Sequence, residues 1–273
     1  ETMDFYVLYN RFLKKEGYQT LPRRPLEKRK LRYEDVYPVL YLKYRLSRQA
    51  ERSNIKHLVI DEMQDYSRLQ YLIIRRMFSC KMTILGDRAQ TMADQQQDVL
   101  QFLPGIFGKD LRRIEMRKSY RNTVEIASYA ANLIGVTDLE LFERHGMPVL
   151  ERDVTDLEAA LREAVDTLFS DEKTYETAAV IVPDEKTAER AYLILREILA
   201  EKDFDCGKRL SWLNRDSSSF KKGLTVTTFY LAKGLEFDQV FSIFPKEEKR
   251  EMMMQAQYIA ATRALHELRV YHI

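Results

Sequence analysis

Five short stretches set charged or amide side chains directly against apolar runs, and their residue types are those that phosphate chemistry needs. In VIDEMQDYS (59–67) an apolar run ends in Asp61, Glu62, Gln64 and Asp65. The Asp61 carboxylate suits a Mg²⁺ ion held through water, and Glu62 suits a group that orients a water for attack on phosphorus. Gln64 and Asp65 then serve as polar couplers. ILGDRAQ (84–90) repeats the arrangement, with Gly86 permitting close backbone approach, then Asp87, then Gln90 one helical turn on. A glutamine amide both donates to a phosphate oxygen and accepts from water, so Gln90 can report a terminal phosphate. Arg121 in KSYRN (118–122), near Lys118, and Arg263 in AATRA (260–264) offer permanent charge and a rigid donor fork for phosphoryl oxygens. In LAKGLEFD (231–238), Lys233, Gly234, Glu236 and Asp238 interrupt an apolar region. Gly234 allows a tight approach and Glu236 can accept from a ribose hydroxyl, while Thr227, Thr228 and Lys233 can donate to a nucleic-acid backbone.

Each stretch alone has a plainer reading. Acids are favoured at helix N-termini, so Asp61 and Glu62 can simply cap the helix that follows them. Gly-Asp is an ordinary strand-to-helix turn, arginines form surface ion pairs worth little, and a polar Lys-Gly turn can close a hairpin.

The elements that must position these residues read as alternating strands and helices. HLVID (57–61) and KMTILGD (81–87) are predicted as buried strands flanking a helix over 67–78, whose apolar positions are Leu69, Leu72, Ile73 and Met77 and whose candidate cap is Ser67. Continuously apolar strands separated by a helix predict a parallel sheet covered by helices. A second α/β unit follows: a helix near 123–134, a strand at 178–183, a helix over 184–200, strands at 224–229 and 239–244, a helix around 251–265 and a last strand at 268–273. The boundary between the units is expected near 110–118. In residues 1–54, Pro22, Pro25 and Pro38 are expected to cut an aromatic and basic region into short helices and a solvated connector, LPRRPLEKRK. The tyrosines and phenylalanines there recur at helical spacing, which predicts packing rather than base stacking.

The 273 residues suffice for a sizeable core, and 44 Lys+Arg against 42 Asp+Glu leave a net charge of +2 that neither demands nor excludes nucleic acid. Cys80 and Cys206 are far apart and lack metal-ligand spacing, so neither a disulfide framework nor a zinc site is expected, and a reducing cytoplasm is the default. No apolar stretch approaches the roughly 20 residues of a membrane span. A chain beginning at Glu1 rather than Met is expected to be a piece of a longer one.

Taken together and in this order, DEMQD, ILGDRAQ, KSYRN, VTTFYLAKGLEFD and YIAATRA resemble motifs II to VI of the UvrD/Rep-like superfamily-one helicases, over residues 57 to 264. The resemblance implies an α/β, RecA-like P-loop NTPase fold of parallel sheets with helices on both faces, with the C-terminal part of a first RecA-like domain in 1–112 and a complete second in 113–273. It implies that ATP and Mg²⁺ bind between the two and drive their closure. By the same resemblance Asp61 and Glu62 match the metal-binding and water-activating acids, and Gln90 the γ-phosphate sensor. Arg121 and Arg263 match the arginines that reach the γ-phosphate, Gly234 and Glu236 the nucleotide-contacting turn, and Thr227 and Lys233 the nucleic-acid track. Nucleic acid, DNA foremost, is the implied partner of a monomeric protein. LRYEDVYPVLYLKYRL (31–46) and LAKGLEFD are further similar to HelD-like proteins, which implies RNA polymerase as a second partner.

Two departures qualify this. No GxxxxGK[ST] occurs, since FGKD (107–110) and CGKR (206–209) lack both the leading glycine and the hydroxyl, so the phosphate cradle is missing from these residues. Residues 1–273 alone are therefore expected to be inactive, and a non-hydrolysing scaffold or a polymerase-binding module are the rival readings. The stacking aromatic expected just after Gln90 is also missing, with Met92 following Thr91, which favours translocation or remodelling over duplex unwinding.

Overall fold

The strand HLVI forms β1 (His57–Ile60) and pairs in parallel with β2 (Lys81–Ile84), from His57 opposite Lys81 to Ile60 opposite Ile84. A computed structural model describes residues 3–47, 54–87, 90, 98–108, 111–116, 118–137, 140–170, 175–202, 209–217, 222–246 and 251–273. It divides into two compact units, Glu1–Ile114 and Glu115–Ile273.

In the first unit, α1 (Phe5–Lys15) is capped by Asp4, whose carboxylate accepts from the Tyr6 and Val7 backbone N–H groups. Tyr6, Tyr9, Leu13 and Leu21 form a small core, against which Leu31, Val39 and Leu42 pack. These two tyrosines are packing residues, as their spacing predicts. Pro38 does not break the chain: α2 runs unbroken from Tyr33 to Leu46. Proline deprives only the Glu34 carbonyl, one turn earlier, of a donor, and Glu34 is exposed, so water can serve it. Between the strands, α3 (Arg68–Met77) starts from a reciprocal capping box, in which the Gln70 N–H donates to Ser67 Oγ and the Ser67 N–H to Gln70 Oε1. A core of Ile60, Tyr71, Val99 and Leu103 joins β1 to α3 and to α4 (Val99–Phe107). The strands are less buried than their apolar sequence predicts: only Ile60 is buried, and Val59 keeps 60% of its surface. Among the described residues this sheet has two strands, and its helices cover Ile60 while leaving Val59 open.

In the second unit, six strands lie in the order β5 (Leu150–Asp153), β10 (Ala264–His272), β9 (Phe237–Phe244), β6 (Thr177–Val182), β8 (Gly223–Thr228) and β7 (Leu210–Trp212), all parallel. Along β6 the pleat sends Ala178, Val180 and Val182 to one face and Ala179 and Ile181 to the other. The first face is covered by α6 (Leu157–Ser170) and α7 (Glu185–Ala200) through Leu161, Leu195 and Leu199. The second is covered by α5 (Val124–Leu133) and α8 (Glu251–Thr262) through Ile126, Ala130, Ile259 and Ala260. This is the α/β parallel sheet with helices on both faces that the sequence predicts. A separate two-stranded parallel pair, β3 (Lys118–Ser119) and β4 (Glu140–Leu141), stands beside it. No helix among the described residues is long and apolar enough to cross a membrane.

Candidate functional site

The first unit gathers its acids and amides at the carboxyl ends of β1 and β2. After Ile60 the backbone turns sharply: Glu62 takes a left-handed conformation (φ 52°), the one non-glycine with positive φ among the described residues. Such a conformation costs an L-residue on the order of 1 kcal/mol and persists where its surroundings demand it. Here the demand is visible. Met63 N–H donates to the Leu85 carbonyl (2.8 Å), which draws the turn Met63–Asp65 across the end of β2. The Tyr71 hydroxyl donates to the Met63 carbonyl from below, and its burial beside Tyr66 pushes its pKa far up, so it stays protonated.

A hydrogen-bonded chain then joins the two motifs. Gln64, 5% exposed, donates its amide N–H to Glu62 Oε2, and its Oε1 accepts from the Asp87 backbone N–H (3.1 Å). Asp87 Oδ2 in turn accepts from the Gln90 side chain (2.9 Å), and Gln90 is 8% exposed. Gly86 makes this closeness possible, since a β-carbon there would collide with Met63 and with Gln64 Oε1. Asp61 is exposed and its Oδ1 accepts the neighbouring Glu62 N–H, while Glu62 is half-buried. Ser67 caps α3, and Glu62, at the N-cap position of the 3-10 turn Met63–Asp65, makes no side-chain cap hydrogen bond, so neither acid's carboxylate caps a helix as the plainer reading has it.

The structure likewise brings together Arg121, Glu236 and Arg263 in the second unit. Arg121 Nε lies 2.7 Å from Glu236 Oε1, both side chains about half-exposed. Phe237, directly after Glu236, donates its N–H to the Arg263 carbonyl (2.9 Å). Arg263 is 1% exposed: its guanidinium donates to the Ile259 and Leu235 carbonyls and to the Thr262 hydroxyl. Gly234 sits at φ 76° with open space around its α-carbon, so its need is conformational rather than steric. Beside Arg121, the Tyr120 and Phe142 rings lie 5.5 Å apart, with Lys118 Nζ 5.5 Å from the Tyr120 centroid.

Two residues with no role in the sequence reading complete this cluster. Asn122 Nδ2 donates to the Thr262 (3.2 Å) and Ala264 (2.6 Å) carbonyls, which flank Arg263. Arg144 donates to the Arg121 carbonyl (2.9 Å), to the Leu265 carbonyl (2.8 Å) and to His266 Nδ1 (2.9 Å). Asn122 stands inside a quoted motif, yet a lone amide carries no signal of its two distant acceptors, and Arg144 stands in no motif at all.

Thr227 departs from expectation. It is wholly buried in β8 and its hydroxyl donates to the Leu213 carbonyl, so as packed it has no surface to offer a nucleic-acid strand. Thr228 is equally buried, whereas Lys233 is half-buried. Asp238 secures β6, accepting from both the N–H and the hydroxyl of Thr177. Met92, Thr91 and Cys206 lie outside the described residues; Cys80 is a free thiol.

Comparison with known proteins agrees with the motif order. Residues 1–92 match the family described as the UvrD/REP helicase N-terminal domain, and residues 223–271 match the UvrD-like helicase C-terminal domain. The chain carries UvrD-like helicase sequence in both units. Among solved structures it is similar to the C-terminal domain of a possible DNA helicase from Lactobacillus plantarum WCFS1, at 24% identity over 57% of this chain and 88% of that one, with a TM-score of 0.44. It is also similar to the PRRSV helicase, at 16% identity over 80% of this chain and a TM-score of 0.42, and to the Arterivirus nonstructural protein 10 helicase solved with DNA, at 14% identity over 81% and a TM-score of 0.45. The chain spans 35% and 40% of those two viral proteins. No curated protein matches it significantly.

Proposed function

We propose that these residues are part of an ATP-driven superfamily-one motor that acts on nucleic acid, the first unit contributing Asp61, Glu62 and Gln90 and the second Arg121, Glu236 and Arg263. The observation that carries the reading is the chain Glu62–Gln64–Asp87–Gln90, which fastens a half-buried carboxylate to a terminal-phosphate sensor through side-chain and backbone hydrogen bonds. Two unrelated turns have no reason to be wired in this way.

The donor chemistry fits Mg²⁺ delivered with a nucleotide rather than a resident metal. No group of three or more His, Cys, Asp or Glu able to hold an ion occurs among the described residues, and Mg²⁺ is commonly held by one or two carboxylates with phosphates and waters completing the shell. Asp61, whose carboxylate is exposed, would hold that ion. Bound Mg²⁺–ATP supplies the phosphoryl group to be transferred. Glu62, fixed by the Gln64 amide, orients a water and accepts its proton, and Gln90 sets the polar environment of the terminal phosphate. Arg121, about half-exposed, brings the positive charge that phosphoryl transfer needs, whereas Arg263, 1% exposed, has to leave the Ile259, Leu235 and Thr262 acceptors to reach a phosphate. Gly234 and Glu236 form the turn that contacts the nucleotide, and Lys233 is the residue of the nucleic-acid track that retains surface.

Glu62→Gln in the full-length protein tests this: ATP turnover should fall by at least about a hundredfold while nucleotide binding persists. Unchanged turnover would remove Glu62 from its role. Residues 1–273 alone, lacking a GxxxxGK[ST] cradle, should show no ATPase activity. A second reading rests on the HelD-like stretch at 31–46, in which the nucleotide site governs docking to RNA polymerase; retention on immobilised polymerase that changes with ATP would favour it.

A further inference from the structure

The backbones of the two arginines are held by Asn122, which ends the KSYRN stretch, and by Arg144, which stands in no motif. Arg121 and Arg263 stand far apart in sequence, and phosphoryl transfer tolerates little error in the placement of either charge. What fixes one relative to the other is a pair of side chains. Asn122 spans the two carbonyls that bracket Arg263, at 3.2 and 2.6 Å. Arg144 spans the Arg121 carbonyl and the Leu265 carbonyl, at 2.9 and 2.8 Å, with His266 Nδ1 as a third acceptor at 2.9 Å. The segment carrying Arg144 is itself tied down, since its carbonyl accepts from Val124 N–H, the first residue of α5 (2.9 Å).

We infer that Arg144 is a positioning residue for ATP hydrolysis, a two-pronged brace that, with Asn122, locks the backbones of Arg121 and Arg263 into one rigid unit. This rests on the proposed function above. The brace needs a planar fork. One guanidinium donates in two directions to carbonyls on different segments, whereas a lysine ammonium is a point donor on a flexible stem. Each carbonyl braced belongs to a phosphate-contacting arginine or lies within two residues of one, so movement of the brace moves the charges. The side chain of Arg121 is meanwhile held at its tip by Glu236, which leaves its backbone as the part Arg144 controls.

The test uses the full-length protein and steady-state ATPase kinetics with nucleic acid saturating. Arg144→Ala should lower kcat roughly ten- to a hundredfold while KM stays within about twofold, because the charges are displaced rather than removed. Arg144→Lys should fail to restore kcat. The melting temperature of each variant is measured alongside. Arg121→Gln provides the reference: it should lower kcat by itself, and adding Arg144→Ala should then cost less than it does alone, since only Arg263 remains to be aimed. If Arg121→Gln lowers kcat and Arg144→Ala does not, the brace is overturned and the proposed function stands. If Arg144→Ala lowers kcat by the same factor with and without Arg121→Gln, and lowers the melting temperature too, its role is structural and the inference falls. If Arg121→Gln leaves kcat untouched, the proposed function fails first.

Discussion

Glu62 combines a half-buried carboxylate, proposed above to activate water, with a left-handed backbone. The strain is imposed by the Met63–Leu85 hydrogen bond and by the absence of a side chain at position 86. Gly86→Ala should therefore destabilise the protein by about 1–3 kcal/mol, as overpacking does, and should also separate Gln64 from Asp87. Urea denaturation measures the first effect, and a loss of ATP turnover beyond that explained by unfolding measures the second. Glu125 offers a pH prediction. Burial raises its pKa, but hydrogen bonds from His145, from its own and the Gly146 N–H groups and from the Thr123 hydroxyl outweigh this and hold it at about 2, against the usual 4.5. The folded-state value is depressed, so this contribution to stability is whole above about 4.5 and lost as pH falls toward about 2. Glu125→Gln should reduce stability near neutral pH and flatten its fall with acid, as denaturation midpoints across that window will show. Of the proposed site, the charged ends of the motifs stand out in the sequence because five of them follow one another in one order, where each alone has a plainer reading. Asn122 and Arg144 were not, because a side chain that serves another segment's carbonyls leaves no local pattern.

The helices with capping signals and clean periodicity were the ones sequence could place. α3 begins where Ser67 and Gln70 form their reciprocal box, and Ser67→Ala should cost about 1 kcal/mol by chemical denaturation. α5 likewise starts at Thr123 and α7 at Asp184. Sequence reasoning missed α6 and the short strands β3, β4, β5 and β7. The strands have two to four residues, too few for a period to show, and β5 is LERD, exposed along its length. Pro38 misled for a different reason. Proline is penalised inside a helix through the carbonyl it deprives, and that penalty shrinks where water reaches the carbonyl. β1 was misjudged in burial rather than in kind, since apolar composition reports what a strand can bury and not how much covers it.

Across the whole molecule, the two units differ in how completely they close a core. Among the described residues, the second has a six-stranded sheet buried on both faces by four helices, while the first has a two-stranded sheet and a modest core. Residues 115–273 expressed alone should therefore fold and melt cooperatively, with coincident near- and far-UV circular dichroism transitions. A broad, non-coincident melt would show that this sheet depends on the first unit. The parallel α/β class was legible in advance because strand and helix alternated with apolar strands. The strand order was not, since it depends on which strands pair across long separations.

That order has a consequence for how the protein is made on the ribosome. β5 is synthesised first among the six strands, yet its sheet partner is β10, the last of them, while β6 pairs with β8 and β9 in between. A nascent chain that has not yet delivered residues 264–272 holds β5 unpaired and leaves an apolar edge along β9. Arg263 immediately precedes that final strand. The proposed arginine cluster is thus completed only when the sheet closes, and until then the β9 edge is open to pairing with other chains.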